Sequence, residues 1–269
     1  MSDAAAAAAP ASPLSARTRV LGAASLAFIA LLVVLALLGI VDETGAYAGA
    51  IGYGAFASVF AIIQARRLGA GPQRTQWVLI GASISAFIAG DIATVANEEL
   101  GQGAMLAAAQ LFYLLQFVTL SWAMMTASLA YRAMLDLRRS AAIAFGTAAA
   151  LATAATALGA LGGFGAGKLV GIDKFLAVYF PIADLLFMFG PALFVLLVSR
   201  QMGAARFAWP WIAVAVGSAV FAQTDVMYYY LQGWQGELNV GFMVVGAGRL
   251  LAALLFAIGS SLARDVFAL

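Results

Sequence analysis

Long apolar runs, broken by short polar stretches, dominate this chain. A membrane-spanning helix needs about 20 mostly apolar residues, and eight runs meet that length: 20–41, 46–65, 77–97, 105–131, 140–162, 175–199, 207–231 and 239–263. The polar breaks are short, so consecutive helices are expected to pack as antiparallel hairpins. The predicted class is an all-α polytopic membrane protein of eight transmembrane helices. Ahead of them, Met1 to Leu14 is rich in Ala, Ser and Pro, and such low complexity reads as a disordered tail over 1–16. The first apolar run is about 22 residues, longer than the roughly 7–15 of a signal-peptide core.

Composition agrees with the pattern. Hydrophobic residues make up 64% of the chain, charged residues 10%, and the mean hydropathy is +0.99, values outside the range of soluble domains. With no cysteine there is no disulfide framework or thiol chemistry. With no histidine the usual haem and zinc ligand and the commonest general base are missing. No nucleophile–base arrangement and no phosphate-binding glycine loop is present, so no catalytic residue, metal site or enzymatic activity is predicted and the cofactor is left unknown. A retinal Schiff base needs a mid-helix lysine, whereas Lys168 and Lys174 lie near the mouth of the sixth run. No basic stripe suited to nucleic acid occurs; the expected partners are the lipid bilayer and a membrane-protein partner or a second copy of the chain.

The sum of charges, +2, matters less than their placement. Arg17, Arg19, Arg66, Arg67, Arg74, Arg132, Arg138, Arg139, Arg200, Arg206 and Arg264 all fall at one end of the alternating runs. Asp42, Glu43, Glu98, Glu99, Asp173 and Glu237, with the two lysines, fall at the other. The positive-inside rule then puts both termini in the cytoplasm.

Two segments resemble each other: Ile84-Ser85-Ala86-Phe87-Ile88-Ala89-Gly90-Asp91 and Gly217-Ser218-Ala219-Val220-Phe221-Ala222-Gln223-Thr224-Asp225. Asp91 and Asp225 are 134 positions apart, as are Arg66 and Arg200, while Ser128-Leu129-Ala130 matches Ser261-Leu262-Ala263 at 133. The expectation is a duplication into halves of about 17–136 and 137–269. Four helices per half gives parallel repeats about an axis along the membrane normal.

Four ionisable residues lie well inside the runs: Asp91, Asp184, Asp225 and Arg249. Charges at such depth are costly and usually have a partner or a function. Arg249 is expected to pair with Asp225 or Asp184, either as a structural staple or as the wall of a polar ligand pocket. Gln116 occupies the position equivalent to Arg249 in the first half. Three aspartates against one arginine leave two carboxyl groups without a basic partner, and at least one is expected to be protonated or to face water. Asp91, with nothing basic near it in sequence, is the expected candidate. Pro181 and Pro191 should each kink the sixth helix and free a carbonyl that a neighbour or water must satisfy. Tyr228, Tyr229, Tyr230 and Trp234 read as an interfacial aromatic belt or part of a ligand site. Gly49, Gly52, Gly54, Gly246 and Gly248 are expected to permit close helix approach.

Tyr179-Phe180-Pro181-Ile182-Ala183-Asp184, Thr224-Asp225-Val226-Met227-Tyr228 and Gly233-Trp234-Gln235-Gly236 resemble motifs of a known class. They are similar to the N-terminal multi-pass sensor regions of bacterial diguanylate cyclases, phosphodiesterases and some histidine kinases. The resemblance covers most of the spans. It implies an eight-helix sensor of the bacterial inner membrane; taken with the charges at depth, the expectation is a non-enzymatic protein with a ligand site or ion pair among Asp184, Asp225, Arg249, Asp91, Gln116, Tyr228 and Tyr179. Two features depart from the pattern. Such regions precede a cytoplasmic catalytic domain, whereas this sequence stops at Leu269, and they have no arginine at the position of Arg249. A secondary transporter or an accessory subunit of a larger membrane complex is the alternative expectation.

Overall fold

The computed structural model describes residues 15–40, 43–100, 103–129, 136–160, 171–202, 206–232 and 239–267. Among them are eight helices long and apolar enough to cross a membrane, as a multi-pass membrane protein requires. They are α1 (Ala16–Leu37), α2 (Glu43–Arg66), α3 (Pro72–Leu100), α4 (Gly103–Leu129), α5 (Leu137–Ala160), α6 (171–201), α7 (Trp209–Gln232) and α8 (Asn239–Phe267). Residues 1–14, where a tail was expected, the glycine-rich residues 161–170 and Trp234 lie outside the described residues. So do the side chains of Tyr228, Tyr229, Tyr230 and Lys174.

The helices overrun the apolar runs at several ends, because polar and charged residues continue a helix beyond the apolar layer. Ser15 starts α1, its Oγ accepting the Thr18 N–H at 3.2 Å, an N-cap placed inside the segment expected to be tail. Gly39, at φ 68°, ends it. The left-handed turn lets the Gly39 and Ile40 N–H groups return to the Ala36 and Leu35 carbonyls at 3.0 and 2.9 Å, closing the last helical turn. Pro72 opens α3, where its missing N–H costs nothing.

Helix α6 is not uniform. Between Gly171–Asp184 and Gly190–Gln201 lies a π-helical turn, Leu185–Phe189, in which the Gly190 N–H reaches back five residues to the Leu185 carbonyl. Pro191 follows directly and cannot donate to Phe187. The freed Phe187 carbonyl accepts the Ser121 Oγ hydroxyl from α4, so a neighbouring helix satisfies the group that the proline leaves open.

Helix α8 is the spine of the bundle. It packs against α7, α2 and α1, and touches α3. Ile29, Tyr53, Ala57, Leu250 and Leu254 form the α1–α2–α8 contact. A larger core of Trp77, Ile80, Leu120, Met124, Met188, Val214 and Phe256 joins α3, α4, α6, α7 and α8. Helix α1 is peripheral: Val20, Leu26, Leu31, Val34 and Leu37 are exposed, the aspect of a helix that faces lipid. Its start is tied to the end of α8, where Thr18 Oγ1 lies 2.8 Å from Ser261 Oγ. Gln201 Nε2 donates to Ser140 Oγ at 2.7 Å, joining the end of α6 to the start of α5. Gly259 of α8 packs against the Pro210 carbonyl at the start of α7 and Trp77 near the start of α3, so Arg17, Arg19, Arg138, Arg139, Arg200 and Arg264 lie toward one end of the bundle.

Two aromatic contacts bridge α3 and α7. Trp77 and Trp211 meet at 5.0 Å between centroids near the arginine-rich end. Phe87 and Phe221 meet edge to face deeper in. The glycines divide. Gly49, Gly54 and Gly248 sit against Leu32, Ile88 and Thr224, whereas Gly52 and Gly246 face open space and do not mediate close approach as expected.

Candidate functional site

The ionisable residues deep inside the bundle come together beyond the Phe87–Phe221 contact. Gly248 lets α8 approach α7: a Cβ there would meet the Thr224 methyl group. One residue further along each helix stand Arg249 and Asp225. Arg249 Nη2 and Nε donate to the same oxygen, Asp225 Oδ1, at 2.8 and 3.2 Å. The side chains are 17% and 12% exposed. The guanidinium also lies over the Phe87 ring, 5.4 Å from its centroid, a favourable cation–π placement. Of the two expected partners for Arg249, Asp225 is the one paired.

Asp91 has a neutral hydrogen-bond partner and no ion pair among the described residues. Tyr113 of α4 donates its hydroxyl to Asp91 Oδ1 at 2.8 Å. The same hydroxyl lies 3.2 Å from Thr94 Oγ1, which donates to the Gly90 carbonyl at 3.0 Å. Gly90 makes room for this arrangement, since a Cβ there would fall 2.5 Å from the Tyr113 ring. Asp91 also lies within electrostatic range of Arg249 and Asp225. Sequence proximity missed Tyr113 because the partner is on the next helix, where only helix rotation decides which side chains meet.

Asp184 is the exception. It is fully buried, just before the π turn, and neither carboxyl oxygen completes a hydrogen bond. Its charged surroundings are the carboxyl group of Asp225 and the guanidinium of Arg249. Pro181, one turn earlier on α6, is also fully buried.

The other expected site residues stand apart. Gln116 is buried one turn from Tyr113 on α4, and its backbone carbonyl accepts Ser83 Oγ at 3.3 Å. The neutral partner of Asp91 is therefore Tyr113 rather than Gln116. Tyr179 is 38% exposed on the wall of a cleft of about 330 Å³ between α4 and α6, with Gln110, Leu114, Phe117 and Phe180 among its lining. Phe180 connects that cleft to the cluster through an edge-to-face contact with Tyr113, 6.2 Å between centroids. Pro191 lies beyond the π turn, where its effect is the Ser121–Phe187 bond.

Chemically, the cluster holds three carboxyl groups, one guanidinium and one phenol in largely apolar surroundings. Among the described residues, no group of three or more acidic, histidine or cysteine side chains is arranged to hold a metal ion. Phe87 and Tyr113 are the participants that sequence reasoning missed; Phe87 had a legible signal, since Phe221 lies 134 positions further on. No protein-family model, curated protein or solved structure matches this chain, so its functional reading rests on the geometry of this cluster.

Proposed function

We propose that the chain is a non-enzymatic, sensor-type membrane protein that binds a small or lipophilic ligand, or a partner's helix, at the Asp184–Asp225–Arg249 cluster. The observation that carries this reading is Asp184, a fully buried carboxyl group that receives no hydrogen bond on either oxygen and faces the carboxyl group of Asp225. A buried polar group left unsatisfied costs about 1–3 kcal/mol, and more when charged. A site that retains one beside an ion pair has an acceptor to offer to something that binds. The arginine-rich end is read as cytoplasmic, in a bacterial inner membrane. Helix α8 carries Arg249 within the cluster and Ser261 at the arginine-rich end, so it is the element suited to pass a change at the pocket to that face.

The reading includes a duplicated architecture. The pairing of α2 with α8 and of α4 with α6 is reciprocal if α1–α4 and α5–α8 are equivalent halves. The 134-residue spacing of the contacting Trp77–Trp211 and Phe87–Phe221 pairs supports the same view. Paired halves with charges at depth also favour a second reading, a secondary transporter.

Native mass spectrometry of the detergent-purified protein tests the proposal. Wild type is expected to carry a bound molecule or partner that Asp184→Asn loses. An unliganded monomer in both forms would overturn it.

A further inference from the structure

Resting on that pocket reading, we propose that the Asp184–Asp225 pair takes up one positive charge, delivered as a proton or a sodium ion. The argument starts from what each acid of the cluster already has. Asp91 receives the Tyr113 hydroxyl. Asp225 receives two N–H groups of Arg249, both on Oδ1. Asp184 receives nothing on either oxygen, and it is on a different helix from the groups that satisfy the other two.

The charge count points the same way. Among the described residues, the charged and titratable groups that face Asp184 and its neighbours are Asp91 from α3, Tyr113 from α4, Asp225 from α7 and Arg249 from α8. Arg249 is the one cation among them. With every carboxyl group ionised, the cluster carries an excess of two negative charges in a largely apolar interior, where an uncompensated charge is strongly destabilising. Asp184 and Asp225 lie close enough for their carboxyl groups to interact directly. Two facing carboxylates repel. A proton held between them converts that contact into a hydrogen bond, with the Asp184 hydroxyl donating to Asp225. A sodium ion bridging them achieves the same neutralisation with carboxylate oxygens, the ligand type that hard cations take. With Asp184 fully enclosed, these smallest carriers of positive charge can reach its oxygens without the helix separation that a larger ligand such as an organic amine requires.

The test uses the full chain in zwitterionic nanodiscs. Infrared spectra and thermal unfolding would be recorded across pH in sodium chloride and in choline chloride of equal ionic strength. If the carrier is a proton, wild type in choline at neutral pH shows a protonated-carboxyl C=O band. That band persists in Asp265→Asn and is lost in Asp184→Asn. If the carrier is sodium, added sodium raises the wild-type Tm by several degrees in a saturable way, and Asp184→Asn does not respond. Wild type with neither band nor sodium response overturns the proposal without recourse to a variant, and so does an Asp184→Asn protein that keeps both. A bound organic molecule lost in Asp184→Asn, with no band and no sodium response, overturns the cation site while leaving the pocket reading intact. A band or sodium response without any organic ligand or partner supports the cation site and removes the broader pocket reading.

Discussion

The rings of Phe87 and Phe221 meet edge to face, 4.7 Å between centroids with planes at 88°, and the two residues are 134 positions apart. Trp77 and Trp211 have the same spacing and also touch. Asp91 and Asp225, again 134 apart, lie within electrostatic reach. Residues that occupy matching places in two copies can meet each other only along the line about which the copies are related. That line, on the duplicated reading, runs between α3 and α7 from the tryptophan pair through the phenylalanine pair to the aspartates. The partners of those aspartates then differ in kind: a phenol for Asp91, a guanidinium for Asp225.

That difference gives the first prediction. Asp91→Asn keeps an oxygen to accept the Tyr113 hydroxyl and leaves no charge stranded. Asp225→Asn leaves Arg249 without its carboxylate in a partly buried place, a loss of about 3–5 kcal/mol for buried pairs. Unfolding in detergent should show a much larger drop in Tm for Asp225→Asn. Equal losses would contradict the assignment of partners.

The ion pair itself can be separated from the cost of orphaning one member. Arg249→Met alone should destabilise by about 3–5 kcal/mol, and the Asp225→Asn/Arg249→Met double variant by clearly less than the sum of the single changes. A double-mutant cycle on thermal or denaturant unfolding measures the coupling. Strict additivity would mean that the 2.8 Å contact contributes nothing to stability.

Gly248 gives a suppressor test. Gly248→Ala places a methyl group against the Thr224 Cγ2, and Thr224 is a stiff β-branched residue whose Oγ1 is committed to the Phe221 carbonyl at 2.7 Å. Overpacking of this type costs about 1–3 kcal/mol. Thr224→Ser removes the offending methyl, keeps a hydroxyl, and should restore most of the lost Tm in the double variant. Failure of rescue would show that the α7–α8 approach is set elsewhere.

Ser121→Ala should lower stability by about 1–3 kcal/mol, the cost of a carbonyl left unsatisfied away from water, because Phe187, half exposed on the lipid-facing surface, loses the donor that replaces the missing Pro191 N–H. Adding Pro191→Ala supplies a backbone N–H and should shrink that penalty. The measurement is unfolding of the single and double variants; an unchanged penalty would mean that the bond answers some other need.

The positions of the helices were legible because apolar runs of about 20 residues have few other uses. The ionisable residues inside them stood out for the same reason. What sequence could not supply was rotation. Nothing near Asp91 in the chain is basic, so it was the expected acid without a basic partner; Tyr113 and Gln116 both lie on the side of α4 that meets α3, and it is the phenol of Tyr113 that reaches the carboxyl group. Asp184 looked like one of two equal candidates for Arg249, and the approach of α8 to α7 at Gly248 gave the arginine to Asp225. The aromatic pairs were visible as a repeated spacing, but apolar residues in an apolar chain attract no notice until they are seen to touch.

The wide turn at Leu185–Phe189 has one more consequence. An extra residue in a helical ladder is a movable defect: it can pass along the helix as each N–H exchanges one carbonyl for the next. Proline has no N–H to exchange. Pro191 stops the defect on one side and Pro181 on the other, so it is confined to the nine residues between them. Asp184 lies inside that interval. The pitch of the helix can therefore change only in the segment that carries the unsatisfied carboxyl group, while the rest of α6 keeps its register against α5 and α7.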